Sequence, residues 1–185
     1  MLLTNNPALI IIDMQNAIDE FSKFERNNLS MEAKLGSFLV AWREKGLSVI
    51  HVRHSSKFEE SPYHRDSAHY SFKDEVMPVE SETVITKQEN SAFVSTALDS
   101  VLKESEIHEI VVCGVLVNHS IDATVRVGAA LGYKVFLPAD LTASFGMKLL
   151  NNEIVSAEQV HNIFLSNLHT EYCKICDSHQ LLSCI

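Results

Sequence analysis

Three side chains in this sequence have the chemistry of a hydrolytic site: Asp13, Lys87 and Ser120. A carboxylate takes a proton from an attacking oxygen and returns it to a leaving group. A lysine beside it keeps the carboxylate ionised and steadies charge that builds during the reaction. A serine in the first turn of a helix is a nucleophile with unpaired amides nearby. Those amides, with the positive end of the helix dipole, favour a developing oxyanion. The stretch Glu109-Ile-Val-Val-Cys-Gly114-Val-Leu-Val-Asn118-His-Ser120 has this form. Residues 109–113 read as a buried strand, and Gly114 ends it. Asn118 is placed to cap a helix running to Leu131, with Gly132 just past its end.

For these residues to meet, their strands must deliver them to one edge of a sheet. Ala8 to Ile12 is an apolar run stopped by Asp13, the pattern of a central parallel strand buried on both faces. Further strands are expected over 47–52, over 83–86 just before Lys87, over 134–137, and at an edge over 172–177. The spacing predicts a helix over 30–45, with Met31, Leu35, Phe38, Leu39 and Trp42 on one face and Gly46 as its stop. Ser91 is read as the cap of a helix through Phe93, Leu98, Val101 and Leu102. Ser156 and Gln159 have capping-box spacing before a helix to Leu168. Residues 14–28 read as a polar loop. Strand and helix alternate without repeats, which predicts a parallel sheet with helices on both faces and right-handed crossovers. Ligands bind such sheets beyond the carboxyl ends of the strands.

Residues 53–82 break the alternation. They mix His, Ser, Tyr, Phe and charges without a period, and Pro62 and Pro78 punctuate them. A loop this long in a compact domain is a lid or an insertion. Phe58, Tyr63, Tyr70 and Phe72 are its lid candidates, or else anchors on a neighbouring subunit.

The chain of 185 residues suits one domain spanning 1–185, and its 46% hydrophobic and 21% charged residues are those of a globular protein. A net charge of −9 argues against nucleic acid or anionic lipid as a partner. No run approaches the roughly 20 apolar residues of a membrane span. The start of the chain lacks a signal-peptide pattern, so a cytoplasmic location is expected. Four cysteines do not make a disulfide framework here. Cys113 is read as a small core residue rather than a nucleophile. Cys173 and Cys176, with His169 and His179, have the residue types of a zinc set, but positions three apart on a strand face opposite sides. No metal is expected there.

The chain resembles the isochorismatase-like hydrolases, also called the cysteine hydrolase superfamily. Ile11-Ile-Asp-Met-Gln-Asn16 is similar to that family's first motif, which puts its catalytic aspartate at Asp13. Ile85-Thr-Lys87 with Ser91-Ala-Phe93 resembles the catalytic-lysine segment, and Cys113-Gly-Val-Leu-Val-Asn-His-Ser120 resembles the nucleophile loop. Asp122-Ala-Thr124, Leu131-Gly-Tyr133, Asp140, His51-Val-Arg-His54 and the helix around Val160-His161 continue the pattern. The resemblance implies a three-layer α/β/α domain with about six parallel strands, and a homo-oligomer of two or more subunits. It also implies a small polar substrate with an amide C–N or enol-ether bond, and no cofactor. It places a cis peptide at Val115–Leu116, oxyanion amides at Leu116 and Ser120, and substrate contacts at His54, Phe93, Asn118 and His119. Some relatives, such as nicotinamidases, hold a metal through an Asp-x-His pattern in the second-strand loop. That pattern is absent beside His51 and His54, and no catalytic metal is expected.

The sequence departs from the family at the nucleophile. Most members have cysteine where this chain has Ser120, and threonine where it has Val117. A serine hydroxyl needs a stronger base than a thiol does, and a carboxylate that already neutralises a lysine is a weak base towards an alcohol. Three readings follow: an Asp-Lys-Ser variant of the family's Asp-Lys-Cys triad; protonation of an enol ether by Asp13 with direct attack of water; or an inactive homologue that binds a small molecule or serves as a scaffold.

Overall fold

The computed structural model of the chain describes residues 3, 6–21 and 24–185. In chain order the main elements are β1 (Ala8–Ile12), α1 (Met31–Glu44), β2 (Ser48–His54), β3 (Thr83–Lys87), α2 (Leu98–Glu104) and β4 (Glu109–Gly114). They continue with α3 (Asp122–Ala130), β5 (Lys134–Pro138), the two-residue strands β6 (Met147–Lys148) and β7 (Ile154–Val155), α4 (Ala157–Leu168), β8 (Lys174–Cys176) and α5 (Ser178–Leu182). Six strands form a parallel sheet in the order β3-β2-β1-β4-β5-β8, flanked by helices on both faces as expected.

The pleat of β1 sorts the two cores. Ala8, Ile10 and Ile12 face Leu98 and Leu102 of α2, Val125 of α3, and Leu165 and Leu168 of α4. Leu9 and Ile11 face Met31, Leu35, Phe38 and Trp42 of α1 and Leu181 of α5. Every residue of β1 is fully buried, which is why its sequence is uniformly apolar instead of alternating. Chain order runs outward from β1 through β2 to β3, then returns to the other side of β1 as β4. The β1/β4 junction is therefore the topological switch point, where the carboxyl ends of neighbouring strands diverge and leave a crevice. The two strands approach closely there: Val115 N–H donates to Ile12 O at 3.1 Å, and Gly114, at φ +112°, has room for no side chain. A Cβ at 114 would stand 2.1 Å from Ile12 O.

Several expectations are corrected. No helix starts at Ser91; the segment 91–97 is a series of turns, with Ser95 at φ +57°, and α2 begins at Leu98. Hydroxyls stabilise these turns: Thr96 Oγ1 donates to Ala92 O and accepts from Leu98 N–H. Such local side-chain bonds compete with helix. Asn118 does not cap a helix. Val117–Ile121 is a single π-helical turn, with Ile121 N–H reaching back to Leu116 O at 3.2 Å, and α3 follows directly. The polar loop 14–28 contains a 3-10 helix, Asn16–Phe21, that buries Ala17 and Ile18. Ser156 caps α4 through the expected capping box with Gln159. Cys173 and Cys176 belong to opposite cores, and Cys113 is fully buried. Among the described residues, no helix is long and apolar enough to cross a membrane.

Candidate active site

Three strand ends deliver three side chains to the crevice. Asp13 follows β1 in a left-handed backbone conformation, φ +54°, which aspartate tolerates better than most residues. Its N–H remains tied to Val52 O at 2.8 Å, so the turn is anchored to β2. Lys87 is the last residue of β3 and is only 1% exposed, its aliphatic stem crossing the core to the crevice. Ser120 lies in the π turn after β4, with Val117 N–H held by Ala143 O at 2.9 Å.

The three polar groups form a closed triangle. Ser120 Oγ donates to Asp13 Oδ2 at 2.6 Å, Lys87 Nζ donates to the same oxygen at 2.8 Å, and Lys87 Nζ donates to Ser120 Oγ at 3.1 Å. Asp13 Oδ1 is buried and takes no hydrogen bond among the described residues. His54 Nδ1 stands 3.5 Å from Lys87 Nζ. Burial lowers the His54 pKa, and the Lys87 charge lowers it further. Burial also lowers that of His119. Both imidazoles are thus neutral near pH 7.

Asp13 and Ser120 face a cavity of about 250 Å³ whose walls include His54, His119, Val115 and Leu116. The peptide between Val115 and Leu116 is cis. Of the residues expected to bind substrate, His54 and His119 thus line the cavity, and Phe93 and Asn118 do not. Phe93 is 8% exposed and stacks on Tyr133 at 5.6 Å, over the bare Cα of Gly128. Asn118 turns away and accepts the Ser144 hydroxyl at 2.9 Å.

Tyr63, one of the lid candidates, also lines the cavity, together with Ile18, Phe21 and Asn90, which the sequence did not single out. Tyr63, read only as a lid aromatic, is buried edge-on against His54, and its hydroxyl reaches Asp13 O at 3.5 Å. Burial, with the nearby charge of Asp13, raises its pKa well above the ordinary value. Phe72 packs on His51, Tyr70 carries the Arg53 guanidinium on its face, and Phe58 is largely exposed. The loop after β2 is thus anchored at Ser55, Tyr63, Phe72, Lys73 and Val76, with exposed stretches between them.

Gln15, within the motif around Asp13, ties this loop to the sheet. It is fully buried; its Oε1 accepts from His54 N–H at 2.8 Å, and its Nε2 donates to His54 O at 3.2 Å and Tyr70 O at 2.9 Å. A buried amide two residues after a strand-end carboxylate was the available signal.

Known proteins match over most of the chain. The model of the Isochorismatase domain matches residues 7–173. An uncharacterized isochorismatase family protein of Bacillus subtilis, YrdC, is 38% identical over 95% of this chain and 94% of its own. The ureidoacrylate amidohydrolase RutB of Klebsiella pneumoniae is 25% identical over 75% of this chain and 74% of its own. Among solved structures, an isochorismatase-family protein of Chromobacterium violaceum is 39% identical and superposes with a TM-score of 0.96, covering 100% of this chain and 96% of that one. The chain belongs to the isochorismatase family of hydrolases.

Proposed function

We propose that this hydrolase cleaves the C–N bond of a small amide through Asp13, Lys87 and Ser120, with the serine as nucleophile. The observation that carries this reading is the triangle: the Ser120 hydroxyl already points its proton at Asp13 Oδ2, and the Lys87 ammonium already lies on the Ser120 oxygen. An ammonium at 3.1 Å favours the alkoxide over the alcohol, which offsets the weakness of a paired carboxylate as base. Ser120 Oγ attacks the carbonyl carbon as its proton passes to Asp13. The tetrahedral oxygen is received by the amides of Leu116 and Ser120, the donors that the family resemblance implies; the neighbouring N–H groups of Val117, His119 and Ile121 are held by Ala143 O and Leu116 O. Asp13 then returns the proton to the leaving nitrogen, the amine departs, and water hydrolyses the acyl-serine with Asp13 as base. The amidohydrolase relative supports an amide over an enol ether.

The test is amide hydrolysis by wild type, Ser120→Ala and Ser120→Cys, with mass spectrometry for an acyl adduct. Ser120→Ala is expected to lose about 1,000-fold or more in kcat, and Ser120→Cys to keep or raise it. Full activity in Ser120→Ala refutes the covalent reading and leaves direct attack of water. A cytoplasmic site of action is supported by Cys113, Cys173 and Cys176, which are buried and form no disulfide among the described residues. A homo-oligomer is supported by exposed Met147, Leu150 and Ile154 on the β6–β7 hairpin.

A further inference from the structure

We propose that the substrate is an uncharged amide, and that amides bearing a carboxylate or phosphate are excluded from this cavity. This rests on the hydrolytic reading above and concerns what the same cavity admits. The first observation is charge accounting. Among the described residues that line the cavity there is no lysine or arginine, and the one acid among them is Asp13. The lysine behind Asp13, Lys87, is spent on it at 2.8 Å, so the pair is neutral as a unit. The two histidines in the walls are held neutral by burial, and for His54 also by Lys87. A second anion here would meet neutral imidazoles, the apolar side chains of Ile18, Phe21 and Leu116, and a carboxylate whose Oδ1 is itself without a donor. An anion taken out of water without a counter-charge is strongly disfavoured.

The approach to the cavity has the same character. Phe21 also borders an adjoining surface depression, whose charged lining among the described residues is Glu20, Glu59, Glu60 and Asp66, with His64 and His69 between them and no lysine or arginine among those residues. Of the basic residues nearby, Lys73 is held on Asp19 at 2.7 Å, Lys57 on Glu89 at 3.1 Å and Arg53 over Tyr70; the exposed Arg65 faces four acids of the depression in the charge balance. With a chain charge of −9, the field at the mouth repels anions before they enter. Size narrows the class further. A cavity of about 250 Å³ holds the liquid volume of about eight waters, room for a small amide or ureide. The inference separates this chain from its amidohydrolase relative, whose named substrate, ureidoacrylate, carries a carboxylate.

The experiment compares succinamide with succinamate, which have the same skeleton and the same number of non-hydrogen atoms and differ in charge. Ammonia release by the full chain is expected to favour succinamide by at least about 100-fold in kcat/KM. Asn90→Lys, at an exposed cavity-lining position, is expected to raise kcat/KM for succinamate by at least about tenfold. Equal turnover of the two amides, or a preference for succinamate, overturns the proposal. If neither wild type nor Ser120→Cys hydrolyses either compound, the hydrolytic reading fails, and the charge inference is read from binding alone by ligand-observed NMR. Saturable binding of succinamide at least about tenfold tighter than succinamate then upholds it. Binding of succinamate as tight as succinamide, or binding of neither, overturns it.

Discussion

Two buried carboxylates sit on this sheet with the same side-chain exposure, 7% each: Asp13 in the crevice and Glu82 at the end of the loop before β3. Glu82 is saturated. It receives Arg43 at 2.7 and 2.8 Å, the Val79 amide at 3.0 Å and His51 Nε2 at 2.9 Å. Burial pushes its pKa up, but those bonds prevail and hold it down at about 2. Asp13 concentrates both of its side-chain bonds on Oδ2 and leaves Oδ1 with none. One cluster is a clamp in which four donors converge on a single carboxylate; the other joins a nucleophile, a base and a cation at a cavity. Burial and charge alone do not distinguish a site from a strut, since the Glu82 cluster also borders a depression and leaves His51 Nδ1 without a partner among the described residues; a nucleophile seated on the carboxylate does.

The comparison is broken most directly by exchanging each acid for its amide. Asp13→Asn is expected to lose about 1,000-fold in kcat. Glu82→Gln is expected to keep kcat within about threefold and to lose about 2 kcal/mol in urea unfolding, since Arg43 is partly solvated. A large kcat loss in Glu82→Gln erases the distinction. A smaller effect is expected of Gln15→Ala, which unties the loop wall from His54. KM should rise about tenfold with kcat little changed, because the triangle itself is untouched. An equal fall in kcat with constant KM would move Gln15 into the chemistry.

The smallest effect is in stability against pH. His51 is kept neutral mainly by burial, so its folded pKa lies below 6.5 while the unfolded chain still titrates near 6.5. The unfolded state binds the proton first as pH falls, so stability present above 6.5 is lost on acidification, about 0.7 kcal/mol between pH 7 and 6 for one fully shifted histidine. Glu82 adds a second loss of the same sign between pH 4.5 and about 2. Urea midpoints across this range should show both limbs in wild type and only the upper one in Glu82→Gln. A flat profile below pH 4.5 in wild type contradicts the clamp.

The sheet was legible because its central strands are buried on both faces: apolar runs such as 8–12 and 110–113 fit that packing. Asp13, Lys87 and Ser120 were legible because strand ends are where such runs meet polar residues. What escaped was decided by contacts between distant segments. Nothing local tells that Asn118 answers Ser144, or that Phe93 is claimed by Tyr133. Ser91 had the form of a cap, but Thr96 and the left-handed Ser95 diverted the chain into turns. Ile18, Phe21 and Tyr63 lie in segments with no period to read, so their burial follows from how the loops fold back over the crevice.

The missing side chain at Gly114 acts as a gauge block. A methyl there would drive into the Ile12 carbonyl and pry β1 from β4, and these are the strands that carry position 13 and position 120. The gap between acid and nucleophile is thus set by main chain, independent of which atom ends the side chain at 120. Evolution can exchange oxygen for sulfur at that tip in one step, at nearly constant fold, whereas the spacer tolerates no exchange at all. Variation among relatives should accordingly collect at the tip and vanish at the gauge.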